Sequence, residues 1–264
     1  MNSKTDYGYP ISSIFFQICG MILLILFLIL AIFSQTYIAT GILIAILFVY
    51  WYVFIYSFKE RFSRLRNKIL TEMNQHLTMK GDEYILDLGT GAGYIAINLS
   101  KKLAVGRVVG VDKYDQRTSI LGENFFEELK INFFKNKLNQ AKQNAFIEKQ
   151  QDKITLIKSD LKNHFPFNDS SFDVIFSSQF LYCISQKEIN KVLEEINRVL
   201  KPSGQLVFFE SEKFLNWDIS HIQIFFQKKG YHTTQYPLKN MTNKTIFTAI
   251  KPKKTTQQNL SNKQ

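Results

Sequence analysis

The sequence predicts an α/β protein in which a doubly wound, mostly parallel sheet carries helices on both faces and is preceded by two transmembrane helices. Short β-rich apolar runs alternate with helical patterns from about residue 81 onward, and such alternation is typical of parallel sheets. A glycine-rich turn follows the first run, at the strand end where such sheets bind ligands. The 52 residues 7–58 contain no Asp, Glu, Lys, Arg or His, which predicts a membrane segment.

The composition excludes several classes of protein. The chain has 264 residues and is 45% hydrophobic and 14% aromatic, which rules out a disordered or collagen-like protein. Two cysteines, Cys19 and Cys183, cannot form a disulfide framework or a multi-cysteine zinc site. The histidines lack metal-ligand spacing, so we expect no metal. They are His76, His164, His221 and His232.

Residues 1–58 are predicted to be a membrane anchor with helices at about 14–33 and 36–58. Each apolar block has the roughly 20 residues that a helix needs to cross the hydrocarbon core. Because only Ser34 and Gln35 separate the blocks, we expect a tight hairpin whose partner is the lipid bilayer, through residues 14–58. A signal peptide is disfavoured because a second apolar block follows the first.

The positive charge is concentrated beside this anchor and in the tail. Of the net charge of +11, residues 59–80 carry +4 and residues 251–264 carry +4, which leaves +3 for residues 81–250. We therefore predict a basic amphipathic connector at 59–80, a disordered basic tail at 253–264, and no nucleic-acid partner. A basic flank after the second span predicts that both termini and the following domain face the cytoplasm. The identity of the membrane and the oligomeric state stay open.

The elements of residues 59–252 follow from apolar periodicity and turn residues. Predicted strands are Tyr84–Leu88, Arg107–Asp112, Ile154–Lys158, 173–177, 205–210, 231–236 and 245–250. Predicted helices are 62–77, 94–103, 186–200 and 216–229. Ser185 and Glu188 form a capping-box pattern, and residues 202–204 (Pro-Ser-Gly) are expected to end the third of these helices. Residues 113–153 are longer than a crossover needs; they contain either an extended crossover helix or an amphipathic lid or membrane-contacting face.

The strongest motif is YILDLGTGAGYIA at residues 84–96, in which a strand that contains an acid runs into a turn of three glycines. Glycine lets the backbone turn sharply and lets a ligand approach closely. A dinucleotide fingerprint would need glycine where Tyr94 stands, and no Gly-Lys-Ser/Thr follows, so NAD and P-loop binding are disfavoured.

Three further features follow along the chain, one at the end of each of the next three predicted strands. Asp112 ends the second strand, 19 residues after Gly93, where a carboxylate can accept hydrogen bonds from ribose hydroxyls. Asp160 follows the third strand, where it could accept from an adenine amino group. Ser177 and Ser178 end the fourth strand, before an aromatic segment. Any one of these could be a helix cap or a surface group, but their order together is specific.

With these motifs the chain resembles the class I S-adenosylmethionine-dependent methyltransferases over about residues 69–252. The block EEINRVLKPSGQLVFF at 194–209 looks very similar to the helix, turn and strand of that family. The resemblance implies a seven-stranded sheet whose last strand is antiparallel, a methyltransferase domain at 81–252, and S-adenosylmethionine as cofactor.

The resemblance also implies roles for individual residues. The methionine moiety would be lined by Asp87, Gly89, Gly91 and Gly93. Asp112 would hold the ribose, and Asp160 with the backbone N–H of Leu161 would hold the adenine. Ser177, Ser178 and Gln179 would edge the methyl-transfer site. No general base is evident; the candidate catalytic residues are Gln179 and Tyr182, and Tyr182 is alternatively a packed aromatic.

The predicted function is a membrane-anchored methyltransferase that acts on a small or membrane-associated acceptor, such as a lipid, a quinone-like ring or another hydrophobic molecule. One alternative acceptor is a membrane protein. A second alternative is a catalytically silent scaffold that binds the cofactor at a membrane. The chain lacks the Asn/Asp-Pro-Pro-Tyr/Phe tetrad after the fourth strand, which disfavours methylation of amino groups on bases or glutamine.

Overall fold

The fold is taken from a computed structural model, which describes residues 5, 7, 20–22, 25–26, 29, 37–114, 137–162, 164–211, 219–238 and 244–253. The chain divides into two compact units. One unit is Gly8–Thr71, and the other combines Met1–Tyr7 with Glu72–Gln264. The domain boundaries expected at residues 58, 80 and 252 stay predictions.

The described elements alternate between helix and strand after the first long helix. The helices are α1 Tyr37–Gln75, α2 Tyr94–Ser100, α3 Lys137–Ile147, α4 Ile189–Val199 and α5 Ser220–Lys228, with a 3-10 turn at Leu181–Cys183. The strands are β1 Tyr84–Leu88, β2 Arg107–Asp112, β3 Ile154–Lys158, β4 Phe172–Ser178, β5 Leu200–Ser211, β6 His232–Pro237 and β7 Lys244–Ile250.

The strands form one seven-stranded sheet in the order β3-β2-β1-β4-β5-β7-β6. Strands β1 to β5 pair in parallel, whereas β7 runs antiparallel between β5 and β6. The predicted mostly parallel α/β sheet with an antiparallel last strand is confirmed. Because the parallel strands point the same way, the loops that follow them lie along one edge of the sheet.

Strands β1, β2 and β3 have the predicted bounds, and the largest difference lies at β5. The turn expected at residues 202–204 is instead a bulged part of that strand. Phe172 pairs with Leu200 and Val174 pairs with Gln205, so β5 accommodates extra residues against β4 at this point. The helix before it, α4, starts at Ile189, three residues later than predicted, since residues 186–188 form a turn.

The core lies on both faces of the sheet. Helix α4 buries the predicted apolar face against it, through Ile189, Val192, Leu193 and Ile196. On β5, β7 and α5, the rings of Phe208, Phe247 and Phe226 are fully buried; the Phe247 ring centroid lies 6.0 Å from that of Phe208 and 6.1 Å from that of Phe226. This cluster attaches the antiparallel end of the sheet to the parallel part.

Helix α1 corrects the sequence-based prediction for residues 36–77. The predicted second membrane helix and the predicted connector helix are one uninterrupted helix of 39 residues. No proline interrupts it, and its second half is rich in Lys, Arg, Glu and Leu, which favour helix. Within the described part of the chain, the structure contains no helix whose length and apolar character would suffice to cross a bilayer. The second predicted transmembrane helix, at about 36–58, is therefore not supported, and most of the first lies outside the described residues.

Several sequence-based predictions fall on residues outside the described set. Most of the first predicted membrane helix (14–33), residues 115–136 of the long crossover, and residues 254–264 of the predicted disordered tail lie there. Of the crossover, the structure describes helix α3 at Lys137–Ile147, and the choice between an extended crossover helix and an amphipathic lid or membrane-contacting face stays open.

The buried aromatic cluster predicts a large effect of truncation at Phe247. We expect Phe247→Ala to lower the free energy of unfolding by about 3–5 kcal/mol, since it removes a fully buried ring between two strands and a helix. Ile250→Ala, on the same strand at 48% exposure, is the control and should cost less than about 1 kcal/mol. Denaturant unfolding measures both; equal effects would contradict the packing described.

Candidate active site at the carboxyl edge of the sheet

The loop after β1 is held against β2 by its backbone. The N–H groups of Gly89 and Thr90 both donate to the carbonyl oxygen of Val111, at 2.8 and 3.1 Å. Gly89 and Gly91 adopt positive φ of 74° and 51°, a region that other residues occupy at a cost. The loop then enters α2, whose N-cap Gly93 is also left-handed. The predicted glycine-rich strand–turn–helix is therefore present.

The two glycines differ in what surrounds them. A Cβ atom on Gly89 would lie 2.8 Å from the Cβ of Phe180, whereas on Gly91 the nearest heavy atom would be the carbonyl oxygen of Gly89 at 4.0 Å. Gly89 is thus required for packing against the segment after β4. The space beside Gly91 is open, as a cradle for a ligand that approaches the backbone requires.

Asp87 lies beneath this loop and is 1% exposed. The hydroxyl of Thr90 donates to its Oδ2 atom. Burial raises the pKa of Asp87 to about 7, although the hydrogen bond from Thr90 acts in the opposite direction. Near neutral pH this carboxyl group is therefore poised between its neutral and charged forms, and a cationic ligand group would favour the charged one.

Asp112, at the end of β2, braces the glycine loop. Its Oδ2 atom accepts a hydrogen bond from the Gly91 N–H at 2.9 Å, and its Oδ1 atom accepts one from the Tyr114 N–H at 2.9 Å. The predicted ribose ligand thus lies directly beside the predicted methionine loop. Its role toward ribose stays a prediction.

Asp160 and Leu161 follow β3, beside the end of β2. The N–H of Ser159 donates to the carbonyl oxygen of Asp112 at 3.0 Å. Asp160 accepts from the Lys162 N–H at 3.1 Å and pairs with the Lys113 ammonium at 3.2 Å. Burial acts to raise the pKa of Asp160, but these two interactions outweigh it and lower the pKa below its usual value. Leu161 is 3% exposed and its side chain belongs to the core.

Ser177, Ser178 and Gln179 follow one another at the carboxyl end of β4. Ser177 pairs with Leu88 of β1, is fully buried, and its hydroxyl has no hydrogen-bond partner among the described residues. Gln179 is exposed with a positive φ of 54°. The structure does not describe the side chain of Tyr182, so its role stays a prediction. A buried, unpartnered hydroxyl at this edge fits a polar ligand.

The structure adds residues that sequence reasoning did not identify. Tyr114, two residues after Asp112, has a φ of 50° and is 7% exposed, and its hydroxyl has no partner in the described part of the chain. Burial raises its pKa, and the carboxylates of Asp112 and Asp87 raise it further. The Asn144 side chain of α3 donates to the carbonyl oxygen of Ala92, at 2.9 Å. No local pattern marks either residue.

A third addition is Glu210 at the end of β5. It is 1% exposed, and its carboxylate accepts hydrogen bonds from the backbone of the segment after β4. The sequence feature that could have indicated Glu210 is a charged residue directly after the apolar run of a predicted strand.

The arrangement fits S-adenosylmethionine. The structure brings the predicted residues of β1, β2, β3 and β4 to neighbouring positions on one edge. An open backbone cradle at Gly91, an acid beneath it at Asp87 and an unpartnered hydroxyl at Ser177 suit the amino-acid part of the cofactor. Among the described residues, no group of three or more His, Cys, Asp or Glu could hold a metal ion.

The elevated pKa of Asp87 predicts a pH-dependent stability. Because the folded pKa lies above the unfolded value of 3.8, the folded state binds the proton more tightly between about pH 4 and 7, and stability falls as pH rises through that window. From pH 5 to 7 the loss should be about 2 kcal/mol. Asp87→Asn can keep the Thr90 hydrogen bond and should remove this loss. Urea unfolding at several pH values tests it; parallel profiles for the two proteins would contradict the assignment.

Comparisons with known proteins find similarity to methyltransferases. Residues 114–208 match the family described as a methyltransferase domain. Demethylmenaquinone methyltransferase of Lactobacillus johnsonii is 28% identical over 147 residues, 53% of this chain and 48% of that protein. The ubiquinone/menaquinone biosynthesis C-methyltransferase of Rickettsia prowazekii is 32% identical over 129 residues, 49% and 44% of the two chains. The chain thus spans about half the length of the curated relatives it matches.

The fold itself is shared with solved methyltransferase structures. An O-methyltransferase family protein from Burkholderia thailandensis superimposes with a TM-score of 0.55 at 11% identity, covering 73% of this chain and 57% of that one. At this identity the likeness concerns the fold. In its fold and in the sequence of residues 114–208, the chain is therefore similar to methyltransferases, and the residues at this edge of the sheet fit S-adenosylmethionine.

Proposed function

We propose that this protein transfers the methyl group of S-adenosylmethionine to a small apolar acceptor of the quinone type. The observation that carries the proposal is the contact between the segment after β4 and the cofactor loop. The side chain of Phe180 packs against Gly89, so the residue next to the predicted methyl-transfer edge is an apolar ring. The names of the quinone-methylating relatives support the same acceptor class.

The residues that would hold the cofactor lie on adjoining strands. In this proposal the ammonium group of the methionine part is bound near Asp87 and the backbone at Gly91. Asp112 keeps the loop in place through its hydrogen bond to the Gly91 N–H, and offers its carboxylate to the ribose. Asp160 retains its charge through Lys113 and Lys162, so it stays an acceptor for the adenine amino group.

The chemistry requires little acid–base help from the chain. When bound, S-adenosylmethionine supplies a methyl group activated by the positive charge on its sulfur. The protein then has to align the acceptor and exclude water, which together lower the barrier to an in-line transfer. Phe180 is a partly buried apolar ring at this part of the proposed site, and the fully buried Leu181 belongs to the core behind it. Gln179 can orient an acceptor by hydrogen bonds, and Tyr182 stays a second candidate for that role.

We also propose that the protein is attached to a membrane through residues 14–58, with both termini and the methyltransferase domain on the cytoplasmic side. Support comes from the 52 residues without a charged side chain and from the basic residues 59–80 that follow them. Within Gly8–Thr71 many large apolar side chains are about half exposed or more, which a bilayer would cover. They include Met21, Ile22, Ile25, Leu26, Ile29, Ile42, Ile46, Phe48, Val49 and Val53.

The acceptor class is tested by methyl transfer. We expect the full chain in detergent micelles to transfer label from radiolabelled S-adenosylmethionine to demethylmenaquinone, and not to phosphoethanolamine. Asp112→Ala should reduce the rate at least about tenfold, because the glycine loop loses the hydrogen bond to Gly91. Transfer to phosphoethanolamine alone would contradict the quinone class. Cofactor binding without transfer to either acceptor would favour the silent scaffold.

Membrane attachment is tested by flotation with vesicles of phosphatidylcholine and phosphatidylglycerol. Ile46 and Val49 are 59% and 60% exposed on α1. The double substitution I46D/V49D should reduce the floated fraction at least about tenfold, since buried carboxylates are costly in a bilayer. Ile250→Asp, on strand β7 at 48% exposure, should float like the unchanged protein. Flotation that is equal in all three proteins, or absent in the unchanged one, would overturn the proposal.

A further inference from the structure

The end of β5 holds a buried carboxylate beside the predicted methyl-transfer edge. Strand β5 pairs in parallel with β4, and Phe209 lies opposite Ser178. Glu210 is the next residue and is 1% exposed. A carboxylate that is removed from water needs hydrogen-bond donors, so the groups that it contacts show what it does.

Glu210 holds the backbone that follows β4. Its Oε1 atom accepts hydrogen bonds from the N–H groups of Phe180, at 3.1 Å, and Leu181, at 2.9 Å. The N–H of Gln179 donates to the carbonyl oxygen of Phe209 at 2.8 Å. Three consecutive amides are therefore fixed by two consecutive residues of β5. Gln179 has a positive φ, a conformation that persists only where the surroundings impose it.

The fixed segment carries Phe180 onto the cofactor loop. A Cβ atom on Gly89 would lie 2.8 Å from Cβ and 3.1 Å from Cδ2 of the Phe180 side chain, so this side chain covers Gly89 directly. Gly89 precedes Thr90, whose hydroxyl binds Asp87. The contacts thus form a chain from Glu210 through Phe180 to the loop that would hold the methionine part of the cofactor.

We infer that Glu210 is a positioning residue of the active site: through the amides of Phe180 and Leu181 it sets the place of the Phe180 ring and thereby the shape of the cofactor loop at Gly89. The inference rests on the proposed function for its place in a methyl-transfer site, while the contacts that define it do not depend on the acceptor. Glu210 itself is not assigned contact with the reacting atoms.

Glu83 is a matched control, because it is also a buried carboxylate that accepts two backbone hydrogen bonds but lies away from the site. Glu83 is 8% exposed, and its two carboxylate oxygens accept hydrogen bonds from the N–H groups of Lys80 and Gly81. It precedes β1 and therefore lies at the opposite edge of the sheet from the cofactor loop. Glu83→Ala removes the same kind of interaction and should lower the unfolding temperature without reaching the site.

The first experiment measures amide hydrogen exchange and binding of S-adenosylhomocysteine by calorimetry, on the full chain. In Glu210→Ala we expect the amides of Phe180 and Leu181 to exchange at least about tenfold faster, and the ligand to bind about tenfold more weakly. Glu210→Gln keeps a carbonyl oxygen that can accept both hydrogen bonds, and should bind within about threefold of the unchanged protein. Glu83→Ala should change neither quantity.

The second experiment is a double-mutant cycle between Glu210 and Phe180. If Glu210 acts through the ring, Phe180→Ala should weaken binding by itself, and adding Glu210→Ala should weaken it little further. Additive effects, or an equal loss in Glu83→Ala, would overturn the inference. Should Glu210→Ala not fold, Glu210→Asp replaces it, because its shorter side chain draws the acceptor oxygen back; unchanged exchange and binding in that variant would also overturn it.

These readouts separate the inference from the proposed function. Neither experiment contains a methyl acceptor, so a failed transfer to demethylmenaquinone leaves the coupling of Glu210 and Phe180 as measured. Conversely, successful transfer by the unchanged protein with additive effects in the cycle would retain the proposed function and remove Glu210 from the site.

Discussion

The parallel pairing of β1 with β2 on one side and β4 on the other is the constraint on which the site depends. Leu88 pairs with Val111 and with Ser177, so the chain leaves all three strands at one edge. The carbonyl oxygen of Val111 then accepts hydrogen bonds from two backbone N–H groups of the glycine loop, and the carboxylate of Asp112 accepts one from a third. The loop conformation is therefore a consequence of the sheet. A loop with the same glycines on an unpaired strand would have no such partners.

Much of this edge could be predicted from the sequence because its signals are local. Strands β1 and β2 are short and largely apolar, as expected of strands buried on both faces, and a glycine-rich turn follows β1. Positive φ at Gly89 and Gly91 is a property of the residue type, so the motif itself indicated the turn. Parallel pairing of β1 with β2 then brings the glycine turn and the end of β2 to neighbouring positions.

The rest could not be predicted because it depends on partners distant in the chain. Glu210 accepts hydrogen bonds from backbone N–H groups 29 and 30 residues earlier in the chain. The sequence around a glutamate at a strand end does not indicate which distant groups it will contact. Tyr114 is buried by its surroundings rather than by periodicity. Helix α1 was divided at residue 58 in the prediction because charge begins there, yet a change from apolar to charged residues does not interrupt backbone hydrogen bonds.

Two acids of this edge, Asp87 and Asp160, differ because their surroundings differ. Asp160 has an ammonium and an amide as partners, and these keep it charged. Asp87 is buried, and no cation contacts it in the described part of the chain, so its pKa rises to about 7. Any cationic ligand group beside Asp87 stabilises the charged form and therefore lowers that pKa, which by linkage couples ligand binding to release of a proton. The buried acid thus makes the charge of the loop depend on the ligand, whereas Asp160 keeps its charge in either state.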